Sequence, residues 1–395
     1  MANVSSSNGL EKRPKLRFPS FDEPYILHRI GDIYAERSER GAADMELLSV
    51  TMNGGVMQRS EIEGKDNSSE DKSNYKVVRK GDMVYNSMRM WQGANGVSSY
   101  DGIVSPAYTV LTAKVSICNE YFAALFKNYK LINEFRKNSQ GMTSDTWNLK
   151  YPQIETIKVY LPEVAEQEKV ASMLVTLDKR IAAQATLVEQ LKKYKRGLHK
   201  LVFIKNRKPS WEKSALHDIA SFCGGGTPSK DVSSYWDGEI GWISSSDIQE
   251  EWIDDISVTR RITKKAIDNS ATKLCPEGTI AIVSRVGVGK VAIIPESLCT
   301  SQDFTNITSI TGNTHYMAYQ IAFRMKLEAM KTQGTSIKGV TADTIKSMGV
   351  DIPPLEEQKK IADMLTAFDS YIKRAVYELD IFLTMKKALL QQLFI

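Results

Sequence analysis

The feature that most constrains this chain is an internal repeat, in which residues 161–204 align with residues 352–395 without a gap. Of the 44 aligned positions 13 are identical, at a constant offset of 191 residues. The identical pairs include Pro162/Pro353, Glu166/Glu357, Gln167/Gln358, Met173/Met364, Leu174/Leu365 and Asp178/Asp369. A repeat of this length indicates that one structural unit occurs twice in the chain.

Both copies of the repeat have the pattern of a long helix. Each opens with a proline, where a missing N–H costs little, followed by acidic residues that suit a first turn. Apolar residues then recur at steps of three, four and seven, the spacing of a coiled-coil seam. The predicted seam residues are Val170, Leu174, Leu177, Ile181, Val188, Leu191, Leu198 and Val202 in the first copy, and Ile361, Leu365, Phe368, Ile372, Leu379, Phe382, Leu389 and Leu393 in the second.

Two readings of these helices are open. They could be unrelated amphipathic helices of two separate cores, or they could cover each other's apolar stripe. Independent helices have no reason to share both the heptad phase and the sequence at their starts, so pairing with each other is favoured.

The two segments outside the repeat are similar in size and resemble each other more faintly. Ile30-Gly-Asp-Ile33 corresponds to Leu216-His-Asp-Ile219, and each segment has a turn glycine, Gly81 or Gly278, before a β-like run. Short strands and turns alternate in both with helical stretches such as Tyr121–Lys137 and Tyr316–Lys331, which is typical of an α+β fold. We therefore predict two similar α+β domains in residues 1–160 and 207–351, and long helices in residues 161–206 and 352–395.

Composition narrows the class of protein. With 395 residues, 42% of them hydrophobic and 25% charged, the chain can fill two cores, and a net charge of +5 permits DNA binding without arguing for it. The four cysteines (Cys118, Cys223, Cys275 and Cys299) form no CxxC pair, which suits a reducing compartment. The N-terminus lacks an apolar signal core and no apolar run approaches the roughly 18 residues of a membrane span, so we expect a cytoplasmic protein.

No motif for catalysis, metal binding or cofactor binding stands out. Residues 286–290 (Val-Gly-Val-Gly-Lys) resemble part of a phosphate loop, but the first glycine and the Ser/Thr after Lys290 are missing, so a strand and turn are favoured. The Cys223–Pro228 segment lacks the context of a dinucleotide site and is better explained as a turn or a close-approach loop. The four histidines have no metal-site spacing, and neither a Pro-Asp nuclease start nor a Gly-x-Ser-x-Gly elbow occurs. We expect no catalytic, metal or cofactor residues.

The chain resembles the specificity (S) subunit of Type I restriction–modification systems over its whole length. The resemblance rests on the duplicated helix starts, Leu161-Pro-x-x-x-Glu-Gln and Ile352-Pro-x-x-x-Glu-Gln, and on the ending Leu389-Leu-Gln-Gln-Leu-Phe394. Further similar stretches are Pro14-Lys-Leu-Arg-Phe-Pro-x-Phe21, Gly224-Gly-Gly-Thr-Pro-Ser229 and Tyr235-Trp-Asp-Gly-Glu-Ile-Gly-Trp242. The first domain has Met88-Arg-Met-Trp-Gln-Gly93 instead of the Gly-Gly-Thr-Pro motif, which suggests that the two domains read different sequences.

This resemblance implies two target-recognition domains separated by a paired antiparallel helical spacer. Each domain would read one half of a split sequence in double-stranded DNA and direct partner enzymes to it. The implied partners are two methyltransferase subunits, which bind S-adenosylmethionine and modify adenine, and restriction/translocase subunits driven by ATP and magnesium. Those cofactors would belong to the partners and none to this chain.

Base reading requires hydrogen-bonding side chains on loops, supported by phosphate contacts. The candidate DNA-binding residues are Asn86, Ser87, Arg89, Trp91, Gln92, Ser105 and Tyr108 in the first domain, and Thr227, Ser229, Lys230, Ser244, Ser245, Asp247, Ser284, Arg285, Lys290 and Gln302 in the second. For each of these a role at the solvated surface is the competing explanation. Trp236 and Trp242 are better explained as core residues than as stacking platforms.

Other functional readings are kept open. The basic run from Lys192 to Lys208 could contact phosphate, although a solvated helix face is the simpler explanation. The chain could itself be a DNA-modifying enzyme, which the missing motifs disfavour. It could be a coiled-coil scaffold whose globular domains bind protein, or the specificity subunit of a complex that only methylates.

Overall fold

In a computed structural model of the chain, the two copies of the repeat form helices of 37 and 38 residues. The structure describes residues 2–3, 12–41, 44–52, 54–66, 68–143, 146–332 and 339–395. Contacts divide the chain into two units, residues 1–186 with 377–395 and residues 187–376. Each unit therefore contains one globular part and one half of each long helix.

The described residues of the first globular part form short strands and four α-helices, and this part leads into the first long helix. Its strands are β1 Ala2–Asn3, β2 Leu16–Arg17, β3 Ile26–Arg29, β4 Tyr34–Glu36, β5 Leu48–Thr51, β6 Gly55–Gln58, β7 Lys76–Val78, β8 Met83–Asn86, β9 Asn95–Val97, β10 Gly102–Val104, β11 Tyr108–Ala113 and β12 Lys158–Leu161. Its helices are α1 Ile30–Ile33, α2 Asn119–Leu125, α3 Tyr129–Asn138 and α4 Tyr151–Ile154, and the long helix is α5 Val164–Lys200, which continues in a π-helical turn Leu201–Lys205.

The second globular part has the same mixture of elements. Its strands are β13 Glu212–Ala215, β14 Ala220–Gly224, β15 Ile240–Ile243, β16 Arg260–Ile262, β17 Leu274–Cys275, β18 Ile280–Val283, β19 Val291–Ile293, β20 Leu298–Thr300, β21 Phe304–Ile310 and β22 Gly349–Ile352. Its helices are α6 Leu216–Ile219, α7 Lys264–Asp268, α8 Thr314–Thr332 and α9 Ala342–Lys346, followed by the long helix α10 Leu355–Gln392. The predicted α+β class is confirmed.

The repeat extends to the sheets. The first unit has an antiparallel sheet in the order β4-β11-β8-β9, and the second has one in the order β14-β21-β18-β19. In both, the strand that leads into a long helix pairs with a strand near the start of the globular part, β12 with β3 and β22 with β13. The turn glycines Gly81 and Gly278 both have positive φ, at 93° and 80°, just before β8 and β18. The faint sequence echoes thus mark the same fold twice.

The long helices begin three residues later than the sequence suggests. Leu161 and Ile352 are the last residues of β12 and β22, so the prolines at 162 and 353 stand in the short connections and not in the first helical turn. The helical pieces before the repeat also differ: the stretch 121–137 is divided into α2 and α3, because Asn128 caps a new helix start by accepting from the Lys130 N–H at 2.9 Å.

The same two side chains organise the start of each long helix. The Gln167 amide donates to the Pro162 carbonyl at 3.0 Å and accepts from the Cys118 N–H, while Gln358 donates to the Pro353 carbonyl at 2.8 Å and accepts from the Asn313 N–H. The preceding glutamates are equivalent as well. Glu166 is buried and accepts two bonds from Arg17 at 2.9 and 2.7 Å, and Glu357 accepts from Lys208 at 2.6 Å.

Within each unit the two long helices run antiparallel. In the first unit Asp178 pairs with Lys386 at 2.5 Å, and six residues further along α5 Gln184 donates to Glu378, eight residues back along α10, at 3.4 Å. In the second unit Lys195 pairs with Asp369 at 2.7 Å. Because 369 and 386 are the repeat positions of 178 and 195, the two ion pairs are the same interaction formed once in each unit.

None of the predicted seam residues is exposed. Val170, Leu174, Leu177, Val188, Leu191, Val202, Leu365, Ile372 and Leu393 are buried, and Ile181, Leu198, Ile361, Phe368, Leu379, Phe382 and Leu389 are half-buried. The stripe also serves the globular cores. Val170, Leu174 and Leu393 belong to the main core of the first unit, and Val202 and Leu365 to that of the second. The ends of the helices therefore anchor the globular parts.

The two equivalent ion pairs differ in burial, which gives a matched comparison. Lys195 and Asp369 have side chains 12% and 4% exposed, whereas Lys386 and Asp178 are 24% and 49% exposed. Lys195→Met leaves a buried carboxylate without its cation, so we expect a loss of about 3 kcal/mol in the free energy of unfolding. Lys386→Met should cost under about 1 kcal/mol. Urea denaturation of both variants measures this, and equal losses would contradict it.

His199 should make the free energy of unfolding depend on pH. His199 lies among Phe203, Tyr319 and Phe323, and burial, reinforced by the charges of Lys195 and Lys326, lowers its pKa from 6.5 to about 3. Between those values the unfolded chain binds a proton that the folded chain does not, so folding loses stability as the pH falls below 6.5.

From pH 7 to pH 5 this histidine should cost about 2 kcal/mol. His199→Phe keeps the aromatic packing and removes the titration, so its free energy of unfolding should fall less over that interval. Parallel urea denaturation curves at both pH values measure the difference, and identical pH slopes for the two proteins would refute the assignment.

Candidate nucleic-acid interface

In the first unit the candidate residues gather at one end of the β4-β11-β8-β9 sheet. Asn86 ends β8 and stands opposite Tyr108, the first residue of β11. The chain leaving β8 forms the short 3-10 turn Met90–Gln92, closed by Gly93 at φ 85°, and the turn before β11 contains Ser105. Two turns at the same end of the sheet therefore bring together all seven residues that the sequence predicted.

Trp91 is the centre of this cluster. Its ring packs edge-on against Trp147, with centroids 5.3 Å apart, and the Arg136 guanidinium lies 5.6 Å from its centroid. Its Nε1–H donates to the Met88 carbonyl at 3.0 Å. Arg89 and Arg136 are exposed and carry two positive charges on this edge. The arrangement offers donors, cationic charge and an aromatic edge, the groups that contact bases and phosphates.

Arg136 and Trp147 were not predicted from the sequence. They lie on α3 and in the segment after it, more than 40 residues from Trp91, and no local pattern links them to the turn that they contact. Only the packing of α3 against this end of the sheet brings them together.

Ser87 lies in the packed interior of the first unit and not on its surface. It is 4% exposed, and its hydroxyl shares a 2.8 Å hydrogen bond with Thr109 on the neighbouring strand. Asn86 is half-buried and its side-chain oxygen accepts from the Met88 N–H at 3.0 Å. The Ser105 hydroxyl accepts from the Ala107 N–H at 3.4 Å, while Gln92 and Tyr108 are half-buried. Of the seven candidates, Arg89 is therefore the one with an exposed side chain.

In the second unit the corresponding end of the β14-β21-β18-β19 sheet borders a cavity of about 580 Å³. Ser284, Arg285 and Gln302 line it together with Lys346, and Thr227 joins them by donating to the Gln302 side chain. Arg285 and Gln302 are exposed. Ser284 follows β18 as Ser87 follows β8, and it is likewise buried, donating to the Asp303 carbonyl at 2.9 Å. Lys346 at the end of α9 was missed because no nearby motif marks it.

The glycine loop after β14 owes its sequence to close packing. A Cβ on Gly225 would stand 2.0 Å from the Ser301 carbonyl oxygen, and one on Gly226 would stand 2.4 Å from the Ala271 carbonyl carbon. Gly224 has no heavy atom within 4 Å of the same position. The predicted close-approach loop is present, and it sets the position of Thr227.

Ser244, Ser245, Asp247 and Lys290 form a second group beyond β15. Asp247 is 8% exposed; it pairs with Arg260 and accepts from the Ser244 N–H at 2.7 Å. Arg260 also donates to the Ser244 hydroxyl at 2.6 Å, and Lys290 donates to the Ser245 carbonyl at 2.9 Å. These polar groups largely satisfy one another.

The other residues that the sequence singled out in this unit differ in their exposure to solvent. Ser229 and Lys230 are exposed, whereas Trp242 is 2% exposed and Trp236 packs edge-on against it at 5.1 Å, so both tryptophans belong to a core as predicted. Residues 286–290 form the turn between β18 and β19, with Gly287 and Gly289 at φ 82° and 102°.

The basic run at the end of α5 is used inside its own unit. Lys192 pairs with Glu251 at 3.1 Å, Lys195 with Asp369, and Lys208 with Glu357. Arg207 pairs with Asp351. Four of these basic side chains therefore have intramolecular carboxylate partners, while Lys193, Arg196, Lys200 and Lys205 are exposed.

Across the ranges that the structure describes, no group of three or more His, Cys, Asp or Glu residues is placed to hold a metal ion. In those same ranges no helix has the length and apolar character needed to cross a membrane.

The fold and these sites define a duplicated α+β protein with a polar, cationic loop cluster in each unit. The sequence model of the "Type I restriction modification DNA specificity domain" matches it twice, at residues 41–193 and 209–378. The chain therefore belongs to the Type I restriction–modification DNA specificity family, as its sequence motifs predicted.

Individual relatives agree with this. A segment of 167 residues is 34% identical to the Type I restriction enzyme MjaIX specificity subunit of Methanocaldococcus jannaschii, covering 41% of this chain and 39% of that protein. The EcoR124I/EcoR124II specificity subunit of Escherichia coli is 29% identical over 271 residues, 65% of this chain and 66% of that protein. The matches thus span less than two thirds of these relatives' length.

Solved structures share the fold. The S subunit of a Type I restriction–modification system from M. genitalium superposes with a TM-score of 0.60 at 13% identity, covering 97% of this chain and 99% of that one. A chain from a study of assembly and conformational transition of the Type I R-M system gives a TM-score of 0.59 at 14% identity, with 94% and 97% covered.

The glycine loop yields a matched test. Gly225→Ala places a methyl group against backbone that cannot withdraw, so we expect a loss of roughly 1–3 kcal/mol in the free energy of unfolding. Gly224→Ala meets no neighbour and should change it by less than about 1 kcal/mol. Chemical denaturation compares the two, and an undisturbed Gly225→Ala protein would show that the loop is not closely packed.

Proposed function

We propose that this chain is the DNA-recognition subunit of a Type I restriction–modification complex and carries out no catalysis itself. Each unit reads one half of a split target in double-stranded DNA. The observation that carries this proposal is that both copies of the specificity domain have an exposed arginine, Arg89 or Arg285, with an amide side chain nearby, at the same end of equivalent sheets.

The two clusters offer different chemistry, which suits two different half-sites. The first combines Arg89 and Arg136 with the indole of Trp91, and the second combines Arg285, Gln302 and Lys346 around a cavity. An arginine can bind guanine through two donors, and a glutamine can bind adenine through a donor and an acceptor. Splitting the site raises specificity, because mismatch costs of about 1–3 kcal/mol per base pair add over separated positions.

The paired long helices would fix the gap between the half-sites. Two readers engage one face of DNA only when their separation matches the helical repeat of about 34–36 Å. We infer that the two helices, joined by equivalent ion pairs, act as a spacer whose length would set the gap.

Two methyltransferase subunits and the restriction/translocase subunits are the expected partners, with S-adenosylmethionine, ATP and magnesium bound by them. The partner-facing surface would be the outer side of the long helices. On α10 in the first unit Tyr377, Ile381 and Met385 are exposed at spacings of four residues, which makes one apolar stripe that the described residues of this unit leave exposed. Such a stripe suits a protein partner.

The experiment that tests this function is a single-molecule methylome of cells expressing the chain with a methyltransferase subunit encoded beside it. The proposal expects a new split motif with N6-methyladenine in both halves. A continuous motif would show that the units do not read separate halves. If the same methyltransferase is active with another specificity subunit but gives no new methylation here, a protein-binding scaffold replaces the proposal.

The variants Arg89→Ala and Arg285→Ala are controls for each other. Removing a base contact should cost about 1–3 kcal/mol of discrimination and relax the motif at that position. Arg89→Ala should therefore degrade only one half of the methylated motif, and Arg285→Ala only the other. Methylome sequencing of each variant reads the result, and degradation of the same half by both would refute the assignment of one half-site to each unit.

A further inference from the structure

Two cysteine thiols of the second unit are in contact beside the cavity. Cys223 in β14 and Cys275 in β17 are both reduced, and their Sγ atoms lie 3.6 Å apart. β14 and β17 belong to two different four-stranded sheets. A bond between these sulfurs would therefore join two sheets that the described hydrogen-bond ladders leave separate.

The two thiols differ in access. Cys223 is half-buried and lines the cavity of about 580 Å³, whereas Cys275 is fully buried in the core between the sheets. Cys223 is the more exposed of the two residues, so a small reagent reaches it before Cys275.

The surroundings of the two thiols also make Cys223 the more reactive one. A hydrogen bond from Cys275, another from Asn306 and the positive charge of Lys273 lower the pKa of Cys223, although burial opposes them. The same contact and burial raise the pKa of Cys275. These shifts favour the thiolate form at Cys223 and the thiol form at Cys275, the combination found at cysteines that react with oxidants and are then resolved by a neighbour.

We propose that Cys223 and Cys275 are a redox modification site, in which a peroxide oxidises the two thiols to a reversible disulfide. The Cys223 thiolate attacks a peroxide oxygen, the O–O bond breaks, hydroxide leaves and a sulfenic acid forms. The Cys275 sulfur then attacks the Cys223 sulfur, so that the S–S bond forms and water leaves. In total two thiols lose two electrons and two protons, and one hydrogen peroxide becomes two waters.

The disulfide would act on the glycine loop. An S–S bond is about 2.05 Å long, so the sulfurs must approach by about 1.5 Å from their present separation. Cys223 is followed directly by the loop in which Gly225 and Gly226 have no room even for a methyl group. The movement therefore passes to Thr227 and its partner Gln302, and the cavity edge changes shape. This consequence rests on the proposed function, because it regulates the DNA contacts of the second unit.

The chemical test uses the purified complex of the full chain with its methyltransferase subunits. It is treated with hydrogen peroxide, the remaining thiols are alkylated, and the peptides are mapped by mass spectrometry. We expect one Cys223–Cys275 peptide, lighter by two hydrogens and cleaved by dithiothreitol. Cys118→Ser should keep it and Cys223→Ser should lose it. Oxidation of Cys223 without linkage, or a Cys275–Cys299 bond in the wild-type chain, would overturn the proposal.

The functional test compares methylation by the reduced and the oxidised complex on DNA carrying the split motif. Loss of one well-placed base contact should lower the methylation rate about tenfold after oxidation, and reduction should restore it. A linked peptide with an unchanged rate would overturn the regulatory role. If the reduced complex methylates no split motif, the proposed function fails while the disulfide is still scored by its peptide.

Discussion

A long helix with one apolar face is unstable in water until that face is covered, and α5 and α10 both carry such a face. The two helices are copies of one repeat, and each can cover the apolar face of the other. Since position 178 pairs with 386 and its repeat position 369 pairs with 195, one interaction is formed twice when the helices run antiparallel. The ends of the same stripe enter the two globular cores, so the helices organise each unit as well as covering each other.

The starts of the long helices show why the duplicated motif has its particular residues. The glutamine binds the carbonyl of the proline before the helix and the backbone of a neighbouring segment, and the glutamate binds a cation from the segment that enters the domain. Both side chains thus tie a helix start to its own globular part. A substitution there would loosen the attachment of the globular part to its long helix.

The sequence was sufficient for the architecture. The repeat and its heptad stripe predicted two long helices, their pairing and two similar α+β parts, because those properties depend on periodic patterns that can be counted along the chain. The helix starts were misplaced by three residues, since a proline before a helix and a proline in its first turn look alike in sequence. The division of the stretch 121–137 was also missed, because a single capping side chain decides it.

The site was only partly predictable. Arg89, Arg285 and Gln302 were candidates because loop side chains of these types can hydrogen-bond to bases and phosphates, and their contact with DNA stays a prediction. Ser87 and Ser284 were indistinguishable from exposed serines, although both are buried and hydrogen-bonded. Arg136, Trp147 and Lys346 join the clusters through tertiary packing alone. The contact of Cys223 with Cys275, 52 positions apart, is likewise invisible in the sequence.

The central claim is that two readers are held apart by the paired helices. The most direct test inserts one helical turn of four residues into α5 after Thr186 and into α10 after Val376, which keeps the helices matched and adds about 6 Å. The methylome of cells expressing this chain with its methyltransferase should show both half-sites unchanged and a gap longer by about one or two base pairs, given a rise of about 3.4 Å per pair. Altered half-sites at an unchanged gap would contradict the account.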